Sequence, residues 1–284
     1  MSKINVFCFG FGQVAKYFIK KLIIEKKTIE LNVSSRKETH SEVFEGVNFK
    51  SYQFDDKKID VQINKKIQEA DYILVSVPPI AGIDIVTKNF KDLLKKTKCK
   101  WITYLSATSV YGDHNGKWVN EISKTIATSF NGKNRLKAEN SWLSLSQELN
   151  FPLQIFRLSG IYSNQNNILK RLVSNQVKFV KKNNHFFSRI HIEDIANVLF
   201  CSLKKFKPNE VYNISDDKPA SQEEVIKYGS NLLNIDAPKS LEIDQLESEM
   251  LRGFYKDSKK VDNKKMKEFF NYRLKYPTYV EGLN

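Results

Sequence analysis

The sequence predicts an α/β protein, a doubly wound parallel sheet followed by a smaller C-terminal α/β lobe. Three observations carry this prediction. Short apolar runs alternate with stretches of helical periodicity through the first 160 residues. The helical stretches are long enough to act as the right-handed crossovers that join parallel strands. After Gly160 the rhythm changes, and shorter, less regular elements follow.

The elements follow in order. Lys3 to Phe9 (KINVFCF) is a buried strand. Gln13 to Glu25 carries Val14, Phe18, Ile19, Leu22 and Ile23 at helical spacing. Thr28 to Val33 is a second strand and Val47 to Phe54 a third; Lys57 to Glu69 reads as a helix. Asp71 to Val77 is a strand ended by Pro78 and Pro79. A helix near Ile83 to Lys96, the strand Lys100 to Leu105, a long helix from Asn131 to Leu149 and the strand Leu153 to Leu158 complete the first half. Beyond it come a helix near Ile168 to Ser174, a short apolar segment at Ile190 to Ile192 and a helix from Asp194 to Leu203. Val211 to Ile214 is a short strand, and Ser221 to Leu233 and Asp262 to Phe270 are helices. The expected division is residues 1–160 as the sheet domain and 161–284 as a smaller lobe, part of which packs back on the sheet.

Composition excludes several classes. Apolar residues at 41% and aromatics at 12% are enough for a sizeable core, against disorder. Three cysteines, Cys8, Cys99 and Cys201, are too few and too far apart for a disulfide scaffold and point to free thiols in a reducing cytoplasm. No apolar stretch is long enough to span a bilayer, and the N-terminus lacks the apolar core of a secretory signal. The net charge of +14 invites a nucleic-acid reading. Against it, 39 of the 46 basic residues are lysines scattered along the chain, whereas base and phosphate recognition favours the planar fork of arginine. The four histidines, His40, His114, His185 and His191, have no metal-ligand spacing among themselves or with the cysteines, so no metal is expected. The expected partner is a small molecule, without nucleic acid or membrane; a homodimer is compatible with the sequence.

Directly after the first strand stands Gly10-Phe11-Gly12-Gln13-Val14-Ala15, a G-x-G-x-x-A pattern that opens a helix. In such a loop the first glycine allows the tight turn, the second lets a pyrophosphate approach the backbone, and Ala15 lets helix and strand pack closely. The helix N-terminus offers free N–H groups and a partial positive charge to phosphates. The strand–glycine–helix context makes this a Rossmann dinucleotide site. Val77, Pro78 and Pro79 at the end of a neighbouring strand, and Ser106 at the end of the next, are expected to border the same cofactor.

The second strand distinguishes the dinucleotides. NAD sites place an acidic residue at the end of that strand, on the ribose 2′-hydroxyl. Here the strand runs out as Ser34-Ser35-Arg36, and Glu30 lies mid-strand, too early. An arginine beside two hydroxyls suits a 2′-phosphate. The expected cofactor is therefore NADP (NADPH), with NAD less favoured.

Further along stand Tyr104–Gly112 (YLSATSVYG), Arg157–Tyr162 (RLSGIY), Phe187–Ala196 (FSRIHIEDIA) and Val211–Asp217 (VYNISDD). With the N-terminal glycines, in this order and spacing across nearly the whole chain, they resemble the NAD-dependent epimerase/dehydratase family. These are the extended short-chain dehydrogenases/reductases, and the terminal LKYPTYVEGL is similar to an atypical, compact subgroup of them. The resemblance implies an oxidoreductase or epimerase/dehydratase in which a lobe closes over a small polar, sugar-nucleotide-like substrate.

It also implies a Ser/Thr–Tyr–Lys catalytic set, and that set is substituted. The hydroxyl position falls on Ala107, the tyrosine position on Asn131 and the lysine position on Arg135. An amide does not titrate in the range where a phenol is tuned, so Asn131 is no proton donor. Arg135 retains donors for the nicotinamide ribose. Tyr111 is a candidate substitute acid, weighed against a packed loop aromatic. Arg157 and Arg189 are candidates for an anionic substrate, Arg157 equally for a strand-end ion pair. His191, between two isoleucines, reads as a core histidine, and Glu193 and Asp194 as favourable charges at a helix start. An enzyme with this altered set, or a non-catalytic NADP-binding sensor or scaffold, are the two functions implied.

Overall fold

The fold is described from a computed structural model, which covers residues 3–246 and 248–284. In chain order the first elements are β1 (Ile4–Phe9), α1 (Gln13–Ile24), β2 (Ile29–Ser35), β3 (His40–Phe44), β4 (Val47–Gln53) and α2 (Ile63–Glu69). Then come β5 (Tyr72–Val75), α3 (Ile85–Leu94), β6 (Trp101–Ala107), β7 (Trp118–Val119), α4 (Phe130–Leu149) and β8 (Leu153–Leu158). The rest are β9 (Gly160–Tyr162), α5 (Ile168–Val173), β10 (Arg189–His191), α6 (Ile192–Ser202), β11 (Glu210–Ile214), α7 (Gln222–Leu233), α8 (Glu249–Phe254), β12 (Lys260–Val261), α9 (Lys264–Phe270) and α10 (Tyr279–Leu283).

Eight strands form one sheet in the order β11-β8-β6-β5-β1-β2-β4-β3. Strand β1 pairs in parallel with β2 and β5, β2 with β4 and β5 with β6. Of the strands in this sheet, β3, antiparallel to β4, was not anticipated from the sequence; the short β7, β9 and β12 outside it were not anticipated either. The residues of β3 are largely exposed and do not alternate. The signal was the two-residue turn Glu45-Gly46, both with positive φ (49° and 78°), which suits a hairpin. Strands β5 and β8 are buried at every position, which explains the uninterrupted apolar run of β5; β8 also buries Gln154 and Arg157.

The chain divides into two compact units. The first comprises Met1–Ser106, Asn134–Arg157 and Ile195–Tyr212; the second Ala107–Lys133, Leu158–Asp194 and Asn213–Asn284. The core of the first gathers Phe7, Phe9, Phe54, Phe90, Tyr104, Trp142 and Ile155. Helix α3 enters that core behind a cap, the Asp84 carboxylate accepting from the N–H groups of Val86 and Thr87. Helix α2 begins six residues later than the apolar spacing suggested. Asp55 accepts from Lys57 and Lys58 N–H, and Asp60 from Gln62 N–H, so side chains take the donors of the first predicted turns.

The core of the second unit joins Ile168 and Leu172 of α5, Val225 and Ile226 of α7, and Tyr279 and Leu283 of α10. Ser221 caps α7, and the Thr278/Glu281 capping box starts α10. Asp194, read as a favourable charge at a helix start, does more: fully buried, it accepts from the N–H groups of Lys275 and Tyr276 and from the Tyr272 hydroxyl, and so fastens the C-terminal segment. The three cysteines are free, and burial pushes the Cys8 thiol up to about 12 and Cys99 to about 11.

Candidate functional site

In the first unit the glycine loop lies between β1 and α1. Gly10 has φ +83°, and a Cβ there would stand 2.9 Å from the Ser76 hydroxyl and 3.1 Å from the Val77 side chain. The loop is held from both sides. Gly10 N–H donates to Ser34 Oγ at 3.2 Å, and Ser76 Oγ lies 3.0 Å from the carbonyls of both Phe9 and Gly10. Gly12 is different: it is exposed, and a Cβ would meet nothing within 4 Å. It is the N-cap of α1, with no side-chain cap and no acidic residue in the first turn. Open space in front of uncapped N–H groups is what an anion needs.

The other expected cofactor residues divide by placement. Gln13 and Pro78 are exposed, and Val77 and Pro79 half-buried. The Val14 side chain is buried in the core. Phe11 packs edge-on to Phe44 at 5.3 Å and tilted against Phe49 at 5.0 Å, with Lys16 Nζ 5.7 Å from its ring. The unanticipated strand β3 thus supplies an aromatic brace for the loop. Ser34 is buried and occupied with Gly10, and Ser35 Oγ is bonded to Ser51 Oγ at 3.0 Å. Of the three residues expected at a 2′-phosphate, Arg36 alone is exposed, and it makes no hydrogen bond or ion pair among the described residues. Glu30 is held by Lys3 at 2.9 Å and Lys66 at 3.2 Å, away from the end of β2.

At the ends of β6 and β8 two of the expected site residues meet the same carboxylate. Ser106 is buried and donates to Glu139 at 2.8 Å, so its hydroxyl is committed to the scaffold. Arg157 is buried too, and its guanidinium forms an ion pair with both oxygens of Glu139. The strand-end ion pair weighed for Arg157 is thus present, formed with Glu139 of α4. Glu139 lies on the buried side of α4, and an unpaired carboxylate there would be prohibitive. Arg135 folds back on β6, donating to the Tyr104 hydroxyl at 3.1 Å and the Leu105 carbonyl at 3.0 Å. Burial lifts the Tyr104 phenol far above its ordinary value, so it stays neutral.

In the second unit Ala107 is half-buried and Asn131 exposed. Tyr111 is fully buried, its hydroxyl 2.7 Å from Asn213 Oδ1. Asn213 in turn donates to the Asp262 carbonyl. Tyr111 is thus packed in the interior of this unit, with its hydroxyl engaged by Asn213. His191 is a core histidine: its Nε2 meets Asn164 at 3.3 Å, and burial lowers its pKa.

The same unit contains a half-open cavity of about 1200 Å³. Asn131 and Arg189 line it, and Arg189 is held in place by the carbonyls of Phe187 (2.9 Å) and Ala220 (3.1 Å) and by Gln222 Oε1 (3.0 Å). Arg171, Lys178, Arg252, Lys256 and Lys259 also line it, against Glu249 and Asp257 as acids. Sequence reasoning missed these five cations. No local pattern marks them, because they converge from segments remote in sequence, Arg171 and Lys178 from one and Arg252, Lys256 and Lys259 from another. Among the described residues no cluster of acids, histidines and cysteines stands ready for a metal ion, and no helix is long and apolar enough to cross a membrane.

No family model matches the chain, and no curated protein does. Solved structures do match. A functionally unknown conserved protein from Silicibacter pomeroyi is 30% identical, with 98% of this chain and 96% of that one covered and a TM-score of 0.85. UDP-glucuronic acid 4-epimerase from Bacillus cereus, in complex with NAD, is 16% identical over 99% of this chain and 96% of its own, with a TM-score of 0.78. dTDP-glucose 4,6-dehydratase from Bacillus anthracis, also with NAD, is 17% identical over 99% and 94%, with a TM-score of 0.77. The last two establish the fold, that of the Rossmann-like epimerases and dehydratases. At 30% identity over almost the full length of both chains, the protein belongs to the same family as the conserved Silicibacter pomeroyi protein.

Proposed function

We propose that the protein is an NADP-binding member of the epimerase/dehydratase branch of the short-chain dehydrogenases/reductases, acting on a small polar, sugar-nucleotide-like substrate. The observation that carries this reading is the glycine loop, with open space over Gly12 at the uncapped start of α1. The fold shared with two NAD-bound enzymes of nucleotide sugars supports the same class. The cations of the cavity suit an anionic substrate. The exposed Arg36, with no carboxylate beside it at the end of β2, favours the 2′-phosphate of NADP over the free hydroxyl of NAD.

A second reading has its own support. With Ala107, Asn131 and Arg135 at the standard catalytic positions and Tyr111 sealed in the interior, none of these residues offers a proton donor. A protein that binds NADPH without reducing a carbonyl, as a sensor or scaffold, fits that pattern. NADPH turnover against a panel of carbonyl substrates separates the two readings.

Cofactor choice is testable directly. NADPH should bind more tightly than NADH, and Arg36→Ala should remove the difference. A charge-assisted contact to the phosphate contributes roughly 1.5–3 kcal/mol, about ten- to a hundredfold in Kd. Fluorescence titration of both cofactors measures it, and equal affinities in the wild type refute the role of Arg36. Gly12→Val should abolish binding of both, because the side chain fills the space that the pyrophosphate needs. The variant should melt like the wild type, since φ at this residue is −79° and its Cβ side is open. Normal NADPH binding by Gly12→Val in a calorimeter would show that the loop is only a turn.

A further inference from the structure

Among the cations of the second unit's cavity, Lys259 has a distinct environment. It precedes β12, where it alternates with Lys260; Lys259 and Val261 both line the cavity. Lys260 instead places its ammonium 4.2 Å from the centre of the Phe186 ring. Lys259 is half-buried and, among the described residues, makes neither a hydrogen bond nor an ion pair through its amine. Its acidic neighbours are engaged elsewhere: Asp257 accepts from the Thr128 hydroxyl at 2.8 Å, and Asp113 from the N–H groups of Ser258 and Asn115. Lys256, by contrast, is exposed.

We propose that Lys259 is a reactive amine of this cavity, a site for reversible imine formation with an anionic aldehyde or ketone. Arg171, Arg189 and Arg252 line the same space and draw in the anionic group, while the unpaired amine meets the carbonyl. The nitrogen lone pair attacks the carbonyl carbon. The C=O bond then breaks as C=N forms, and the carbonyl oxygen leaves as water with the two hydrogens of the amine. No oxidant or reductant takes part. Burial also lowers the pKa of Lys259, Asp257 and Asp113 opposing it, and this enlarges the fraction of neutral, nucleophilic amine. Every residue it uses belongs to the second unit.

The test uses the full chain and pyridoxal 5′-phosphate, an aldehyde that carries a phosphate. The imine is reduced with sodium cyanoborohydride, and the labelled lysine is located by peptide mass spectrometry at limiting probe. Lys259 should carry more label than any other of the 39 lysines, and its labelling should saturate. Excess inorganic phosphate and Arg252→Ala should each reduce label at Lys259 while leaving exposed lysines unchanged. Lys259→Arg should abolish the saturable component. Label spread over lysines in proportion to exposure overturns the proposal, and so does label on Lys259 that neither phosphate nor Arg252→Ala affects. Because the mapping is made on the wild-type chain, the outcome does not depend on a variant folding.

Discussion

Glu139→Gln is expected to destabilise the protein by about 3–5 kcal/mol, the usual cost of removing one partner from a buried ion pair. Glu139 is 1% exposed and Arg157 5%. The carboxylate accepts from the Arg157 guanidinium and from Ser106 Oγ. The amide would leave the guanidinium charged in the interior and lose the charge-assisted contact to Ser106. Urea unfolding at pH 7 should show a lower midpoint with an unchanged slope. Arg157→Met should cost a similar amount by leaving the carboxylate unpaired. The double replacement Glu139→Leu/Arg157→Met should recover most of the loss, because a well-packed apolar pair replaces a buried ion pair at little or no cost. If Glu139→Gln costs less than about 1 kcal/mol, within the range of an exposed pair, the two charges are solvated and the buried arrangement is wrong.

The contrast between Arg157 and Arg189 shows where the sequence stops being readable. Both sit in or beside apolar strands, and both invite an anionic-substrate reading. Only the packing separates them: Arg157 faces a carboxylate brought in by α4, and Arg189 lines the cavity with two carbonyls and an amide at its back. Local patterns were legible because they have local causes. The strand Leu153–Leu158 is found at its expected bounds, and α1 runs from Gln13 as its periodicity requires. Ser34 shows the opposite case. Its place at the end of β2 was readable, but the direction of its hydroxyl depends on Gly10, 24 residues away. The cavity cations were the least readable, since they come from α5, α8 and the loops beside them, and no periodicity relates them.

A second large effect is expected at Asp216, as a change in how stability depends on pH. Asp216 is 1% exposed; Oδ1 accepts from Lys218 N–H at 3.2 Å, and Oδ2 is buried without a partner among the described residues. Burial pushes its pKa up to about 8; Arg189 opposes the shift, and Asp217 and Asp194 add to it. In the unfolded chain an aspartate titrates near about 3.9. Between those two values the folded protein holds a proton that the unfolded chain has lost. Stability therefore falls as pH rises through this window, and the loss is complete above pH 8. His185 acts in the opposite direction. Burial lowers its pKa to about 4, so its contribution is lost as pH falls toward that value. The difference between wild type and Asp216→Asn cancels the histidine and isolates the aspartate. The two proteins should have similar urea midpoints near pH 4, and the variant should gain progressively up to pH 8, reaching on the order of 5 kcal/mol at most. Parallel stability profiles across that range would mean that Asp216 is ionised in the folded protein and that Arg189 compensates its charge in full.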